Sequence, residues 1–245
     1  MPAVRLDIEY DGSPFAGWAV QPGVRTVQGE LETALATVLR EPLRLTAAGR
    51  TDAGVHALAQ VASFETKEAP PADLARSLNA LTPPEITVTA VGLAADGFDA
   101  RRSARSRTYV YRVFTRRIPS PFQEGRALWW PHRLDRTALD GCAAALLGEH
   151  DFTAFTPTQT EHVRFERRIF GAAWTEEGAD ILVFRIEADS FMRNMVRAIV
   201  GTMLEVAADR RSAASFEQLL AGAPREQGGE TAPAHGLYLE SVSYP

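Results

Sequence analysis

Helix and strand periodicities alternate in a fixed order along the first hundred residues, and this order restricts the fold more than any other feature. Residues 4–10, VRLDIEY, alternate apolar and polar side chains as a half-buried strand does, and residues 27–40 carry apolar side chains at helical spacing. The next predicted elements are strand, strand, helix and strand, at 43–47, 57–65, 72–80 and 85–93. The order β-α-β-β-α-β predicts one ferredoxin-like unit.

The rest of the chain repeats this theme with longer elements. Strands are predicted at 107–115, 166–175, 180–188 and 237–243, and helices at 136–147, 191–208 and 213–221. We therefore expect an α+β protein of two ferredoxin-like halves, residues 1–100 and 101–245, whose mixed, mainly antiparallel sheets abut across a catalytic cleft. The aperiodic stretches 148–165 and 222–236 are expected to be either substrate-contacting loops or plain surface.

Composition narrows the class of protein. A chain of 245 residues with 45% hydrophobic content can form real cores. Its longest apolar runs are too short to span a bilayer, and its start lacks the pattern of a signal peptide. Cys142 is the only cysteine, which excludes an intrachain disulfide and a multi-cysteine metal site. We expect a cytoplasmic protein without a membrane partner.

The arginines are unevenly distributed. A net charge of −5 argues against general affinity for nucleic acids, yet the stretch 101–117 holds seven arginines and no acid. An arginine-rich exposed linker is one interpretation. The other is a cationic groove for RNA, because guanidinium groups bind phosphate through paired hydrogen bonds. This second interpretation predicts RNA contacts from Arg101, Arg102, Arg105 and Arg107.

The segment 49–56, GRTDAGVH, is the most informative one in the chain. It lies between two predicted strands, so an ordinary hairpin turn in which Asp52 only caps the backbone is one possibility. However, two glycines and an alanine leave space around the carboxylate for a bulky ligand. Arg50 and His56 are able to contact phosphate or sugar. The segment therefore predicts a catalytic carboxylate at Asp52 with RNA-contacting neighbours.

This segment resembles the GRTDAGVHA signature of the tRNA pseudouridine synthase A family. Further segments resemble the same family in the same order: Tyr10-Asp11-Gly12 with Gly17-Trp18, Arg107-Thr108-Tyr109-Val110-Tyr111, LLGEHDFTAF at 146–155, Met195-Val196-Arg197 and Gly236-Leu237-Tyr238-Leu239. Together they span residues 10 to 239. The sequence departs from the family pattern at Ala19, usually glutamine, and at Arg193-Asn194, commonly a His-rich pair.

The resemblance implies an enzyme that isomerises uridine to pseudouridine at positions 38, 39 and/or 40 in the anticodon stem-loop of tRNA. Asp52 is then the catalytic nucleophile or base, Tyr109 the wall that holds the detached ring, and Arg197 the ionic partner that keeps the carboxylate charged. The reaction involves no redox change or group transfer, so we expect no cofactor and no metal. The family also implies a homodimer.

Two other classes of function match parts of the pattern. A non-catalytic RNA-binding module matches the two ferredoxin-like units and the arginines, but leaves Arg50 to Asp52 unexplained. A glycosidase with an aspartate nucleophile generally needs a second carboxylate as acid, and none lies close downstream of Asp52, although Asp11 could approach it in space. An assay for released uracil against isomerised uridine distinguishes the three classes.

Overall fold

The structure is a computed structural model that describes residues 2–160 and 162–245. The chain forms two compact units, Met1–Arg105 with Tyr238–Pro245, and Ser106–Leu237. The predicted halves, 1–100 and 101–245, differ from these units mainly in the last strand. Tyr238 and Leu239 of that strand pair in parallel with His56 and Ala57, so it belongs to the first unit. Pairing between residues so far apart in sequence leaves no trace in local periodicity.

The first unit has the predicted β-α-β-β-α-β order. Its elements are β1 (Ala3–Tyr10), α1 (Val27–Leu39), β2 (Thr46–Ala47), β3 (His56–Glu65), α2 (Leu74–Leu81) and β4 (Ile86–Leu93). The strands lie in the order β4-β1-β3, and β2 pairs with β3. The last strand, β10 (Leu237–Ser243), pairs with the start of β3. Antiparallel pairing dominates, as predicted.

Local sequence explains why these elements form where they do. In β1 every second side chain from Val4 to Tyr10 is buried, which is the period of a strand with one face on a core. Helix α1 begins after Thr26, whose hydroxyl accepts a hydrogen bond from the Gly29 N–H. It buries the side chains at helical spacing that the sequence indicates, among them Leu31 and Leu35.

The second unit has longer strands. Its elements are β5 (Ser106–Phe114), β6 (Leu128–Trp129), α3 (Arg136–Ala145), β7 (Gly148–Asp151), β8 (Glu166–Glu177), β9 (Ile181–Ala188), α4 (Met195–Ala207) and α5 (Ala213–Leu219). The strands lie in the order β5-β9-β8-β7, and the short β6 runs parallel to β5. Strands β8 and β9 pair as an antiparallel hairpin. The α+β class with mainly antiparallel strands is confirmed.

Three predicted features differ from the structure. The helix expected from residue 191 begins at Met195, because Asn194 before it has a left-handed backbone, φ 62°. The stretch 148–165, expected to be a loop, begins with strand β7. The predicted strand 43–47 is reduced to β2.

Within the stretch 222–236, residues 229–232 pack against α4. All residues of α4 except Arg197 and Glu205 are buried. A Cβ at Gly201 would overlap the carbonyl oxygen of Glu230, so the helix and this stretch touch backbone to backbone. Among the described residues, no helix is long and apolar enough to cross a membrane.

Candidate active site

Asp52 lies in the turn between β2 and β3, in what we call the Asp52 loop, residues 49–55. The Asp52 side chain is half-buried and the neighbouring Ala53 is exposed. The loop closes on itself because the Val55 N–H donates to the Asp52 carbonyl oxygen at 3.2 Å. Gly54 permits this turn with a left-handed backbone, φ 76°. The carboxylate is thus carried on a tight turn with only small residues immediately after it.

The segment between β1 and α1 holds the Asp52 loop from one side through its backbone. The Trp18 N–H donates to the Thr51 carbonyl oxygen at 3.1 Å, and the Gly54 N–H donates to the Phe15 carbonyl oxygen at 3.3 Å. At Gly17, φ 99°, a Cβ would lie 2.8 Å from the Thr51 carbonyl oxygen. Only glycine allows this approach, which explains in physical terms why a Gly-Trp pair accompanies the loop.

A buried hydrogen-bond network holds the Asp52 loop in place. We call its three members, Tyr10, Thr51 and Gln60, the Tyr10 network. The hydroxyl groups of Tyr10 and Thr51 lie 2.7 Å apart. The Gln60 amide donates to the Tyr10 hydroxyl at 3.4 Å and to the Gly49 carbonyl oxygen at 2.8 Å. The network therefore holds the residue directly before Asp52 and the first residue of the loop.

All three members of the Tyr10 network are buried, and Gln60 is 0% exposed. Burial raises the pKa of Tyr10 to about 12, although its hydrogen bonds with Thr51 and Gln60 act in the opposite direction. The Tyr10 hydroxyl is therefore neutral at physiological pH. Sequence analysis missed Gln60 and Thr51. The available signal was a glutamine with apolar neighbours on both sides, in LAQVA at residues 58–62.

His56, predicted to contact RNA, lies in the interior of the first unit with 2% exposure. Its Nδ1 accepts a hydrogen bond from the Gly12 N–H at 3.1 Å and lies 3.1 Å from Asp11 Oδ1. Its ring stacks on Tyr238 with centroids 4.6 Å apart. The ring is thus placed to hold the chain at Gly12 rather than to reach a phosphate. The predicted contact of His56 with RNA does not agree with this burial.

Gly12 contacts the Asp52 loop directly. A Cβ at this position would overlap the carbonyl oxygen of Val55. His56 accepts a hydrogen bond from the Gly12 N–H, and the Val55 carbonyl oxygen leaves no space for a side chain at Gly12. The Tyr10-Asp11-Gly12 segment and the Asp52 loop therefore form one packed structure, although forty residues or so separate them in sequence.

The second unit carries Tyr109 and Arg197. Tyr109, on β5, is 7% exposed, and its ring meets the Phe191 ring edge to face at a centroid distance of 5.1 Å. Tyr111 is fully buried and donates its hydroxyl to the Pro233 carbonyl oxygen at 2.8 Å. Burial raises the pKa of Tyr111 well above its usual range. The two tyrosines thus differ: Tyr111 is a core residue, and Tyr109 keeps a small exposed area.

Arg197 lies in the first turn of α4 and is half-buried. Its Nε donates to the Ala232 carbonyl oxygen at 2.7 Å, and one terminal nitrogen donates to Asn194 Oδ1 at 3.1 Å. The backbone adds a bond from the Ala232 N–H to the Arg197 carbonyl oxygen at 3.1 Å. The guanidinium charge lowers the pKa of Tyr111, against the larger effect of burial. The cation is therefore fixed in position, in electrostatic reach of the strand that carries Tyr109.

The predicted RNA-binding arginines have different environments. Arg107 is 8% exposed and donates to the Asp189 carbonyl oxygen at 2.8 Å. Arg102 lies 3.3 Å from Asp99, yet its side chain is 83% exposed. The others, Arg50, Arg101 and Arg105, are exposed. Of the four predicted arginines between residues 101 and 107, one is therefore buried and three are exposed.

Metal-binding groups of three or more His, Cys, Asp or Glu side chains are absent from residues 2–160 and 162–245. Cys142 is buried, and burial raises the pKa of its thiol to about 11, with the negative charge of Glu217 adding to the effect. The thiol is therefore protonated and poorly nucleophilic at neutral pH.

Comparison with known proteins gives consistent matches. The family model described as tRNA pseudouridine synthase matches residues 8–97 and 142–245. The chain is 43% identical to tRNA pseudouridine synthase A of Frankia casuarinae, over 99% of this chain and 89% of that protein. It is 42% identical to tRNA pseudouridine synthase A of Bacillus subtilis, over 98% of both chains. A solved H/ACA RNP bound to a substrate RNA containing 2'-deoxyuridine matches 82% of this chain and 43% of that chain, with 10% identity and a TM-score of 0.39, too low for any inference.

Proposed function

Because this chain belongs to the tRNA pseudouridine synthase family, we propose that it modifies uridines 38, 39 and/or 40 of the anticodon stem-loop with Asp52 as its nucleophile. Membership in the family establishes the general activity: the enzyme isomerises uridine in tRNA to pseudouridine. The target positions and the role of Asp52 are the proposal. The observation that carries it is the Asp52 loop, a tight, glycine-containing turn that buried hydrogen bonds hold in place.

The reaction is an isomerisation, so its atoms balance without a co-reactant. The bond from uracil N1 to ribose C1′ breaks, and a bond from C5 to C1′ forms after the ring has turned. C5 loses its proton and N1 gains one. A carboxylate nucleophile, attacking either C1′ or ring C6, divides this change into easier steps. The target base must leave its stack to reach Asp52, which requires base flipping.

Tyr109 and Arg197 are proposed as the second and third catalytic residues. A tyrosine ring provides a flat surface against which the detached uracil can be held while it turns, and the edge-to-face contact with Phe191 fixes the orientation of the Tyr109 ring. A guanidinium favours the charged form of a nearby carboxylate. Arg197 is proposed to act in this way on Asp52, and its bonds to Ala232 and Asn194 support a fixed cation.

We propose further that the exposed arginines bind the tRNA backbone. Arg50, Arg101, Arg102 and Arg105 are exposed and suited to phosphate contacts. Arg107 was expected in this group, but its burial and its bond to Asp189 support a role in holding β5. A homodimer in the cytoplasm completes the proposal, in which one subunit holds the tRNA body while the other presents Asp52.

The test replaces Asp52 with asparagine, which keeps the shape of the side chain and removes its charge. Tritium released from C5 of tRNA uridines measures turnover, and transcripts with uridine at only position 38, 39 or 40 locate the target. We expect turnover below about a thousandth of wild type with tRNA affinity changed only a few fold, because a nucleophile acts mainly in the transition state.

The matched control is Asp96→Asn, an exposed aspartate in the same unit, which should leave turnover unchanged. Residual turnover of Asp52→Asn above about a thousandth of wild type would exclude Asp52 as the nucleophile. If the transcripts with uridine only at 38, 39 or 40 do not react and another uridine does, the proposed target positions are wrong. The family activity, isomerisation of uridine in tRNA, would still hold.

A further inference from the structure

The loop between β5 and β6, residues 115–127, which we call the β5–β6 loop, exposes two large apolar side chains to solvent. Trp129 of β6 is exposed beside it in sequence. Ile118 is 70% exposed, Phe122 is 84% exposed and Trp129 is 43% exposed. Single exposed apolar residues are normal on a protein surface and need no explanation. Three within twelve residues of one connection form a group that water solvates poorly, and such groups commonly mark a binding surface.

Hydrogen bonds within the β5–β6 loop fix the conformation in which these side chains are exposed. Arg116 donates through Nε to the Ile118 carbonyl oxygen at 3.0 Å and stacks over the Phe114 ring at 5.2 Å. The Trp129 indole donates to the Arg116 carbonyl oxygen at 2.9 Å, which joins the two ends of the loop. Compact loops with joined ends often carry function.

Charge favours a polyanionic occupant. The β5–β6 loop contains three exposed arginines, Arg116, Arg117 and Arg126, and one acid, Glu124, in a chain whose net charge is −5. A second copy of the chain is a less favourable partner, because a two-fold contact brings the same surface against itself and places arginines against arginines. Nucleic acid offers phosphates to the arginines and flat base faces to the aromatic rings.

We propose that the β5–β6 loop and Trp129 form a further tRNA-binding surface, in addition to the arginines between residues 50 and 105. Arg117 and Arg126 bind backbone phosphates, and Phe122 contacts an unstacked base or the face of a ribose. The inference rests on the proposed function only in taking tRNA as the substrate. It assigns Arg116 and Arg117, which stand in the acid-free cluster, to the surface formed by the β5–β6 loop.

Two variants test the surface, Phe122→Ala and Arg117→Gln, each compared with a matched control in the first unit. The controls are Leu93→Ala, an apolar side chain that is 61% exposed, and Arg76→Gln, an exposed arginine on α2. tRNA affinity is measured by filter binding from low to high salt, in the Asp52→Asn background so that the RNA stays unmodified. Turnover is measured separately in the otherwise wild-type enzyme.

Phe122→Ala should weaken tRNA binding by about fivefold or more, since stacking on one base contributes a factor of about 5 to 150. Arg117→Gln should reduce the salt slope of log K by about 0.7 to 0.9. Both should raise KM with kcat unchanged. Affinities and slopes equal to those of the two controls would overturn the proposal.

Sedimentation velocity of Phe122→Ala separates RNA binding from self-association. Loss of a dimer in Phe122→Ala, with or without weaker tRNA binding, would make the loop a protein interface and would also overturn the proposal. These outcomes do not depend on the target position or on the nucleophile. Wild-type enzyme that forms no pseudouridine at uridine 38, 39 or 40 would refute the proposed function by itself, whatever the loop variants do.

Discussion

Tyr10→Phe removes one hydroxyl from the Tyr10 network and leaves the aromatic ring in place. The ring keeps its packing against Trp18, whose centroid lies 6.0 Å away. Thr51 loses its 2.7 Å hydrogen bond, and Gln60 loses one acceptor while it still donates to the Gly49 carbonyl oxygen. The perturbation is therefore confined to the groups that hold the residue before Asp52.

The magnitude follows from burial. A buried polar group left without its partner costs about 1 to 3 kcal/mol, and the remaining bond of Gln60 and the slight exposure of Thr51 favour the lower half of this range. We expect Tyr10→Phe to lower the free energy of unfolding by about 1 to 2 kcal/mol. If one net hydrogen bond, about 1 kcal/mol, also ceases to hold Asp52 in the transition state, kcat falls about fivefold.

The raised pKa of Tyr10 gives a second test with a definite sign. The hydroxyl ionises near its ordinary value of 10.0 in the unfolded chain and at about 12 in the folded one. The stabilisation from its neutral form is thus complete below pH 10 and is lost as the pH rises through about 12. The unfolding free energy of wild type should therefore fall relative to that of Tyr10→Phe as the pH rises from about 9 to about 12.

Urea unfolding followed by tryptophan fluorescence measures stability, and tritium release measures kcat and KM. Tyr244→Phe is the matched control, because Tyr244 also donates a hydrogen bond in the first unit, to the Ala100 carbonyl oxygen at 2.8 Å, outside the Asp52 loop. We expect Tyr244→Phe to lose stability with kcat unchanged. An equal fall of kcat in both variants, or wild-type kcat in Tyr10→Phe, would refute a positioning role for the network.

Substitutions at three further positions test the site. Gly12→Ala places a Cβ on the Val55 carbonyl oxygen, so we expect the unfolding free energy to fall by about 1 to 3 kcal/mol and kcat to decrease. The control is Gly92→Ala, where the added Cβ meets open space, and it should change neither quantity. Arg197→Met should be nearly as damaging to turnover as Asp52→Asn; an active variant with an unchanged pH-rate profile would contradict the pairing. Tyr109→Phe should keep most tRNA binding and slow turnover, while Tyr109→Leu should reduce both, since stacking contributes about 1 to 3 kcal/mol; identical mild effects would make Tyr109 a core residue.

The amino-acid sequence alone determined the elements and the motif residues of this protein. Strands β1, β3 and β5 and helix α1 are predicted to within a residue or so at each end, because alternation and helical spacing are local properties of the chain. The Asp52 loop is equally evident, since it joins two predicted strands with glycines on both sides of a carboxylate. The order of the motifs then indicates the family, and full-length similarity confirms it.

Tertiary structure alone decided how these elements support one another. It pairs β10 with β3, buries His56 under Tyr238 and Arg107 beside Asp189, and sets Gln60 beneath a loop eleven residues away. It also packs the aperiodic stretch 222–236 on Gly201, where Ala232 becomes the partner of Arg197. Each of these depends on which backbone groups meet across long sequence separations, and a histidine, arginine or glutamine has the same local pattern whether it faces solvent or fills a buried hydrogen-bond site.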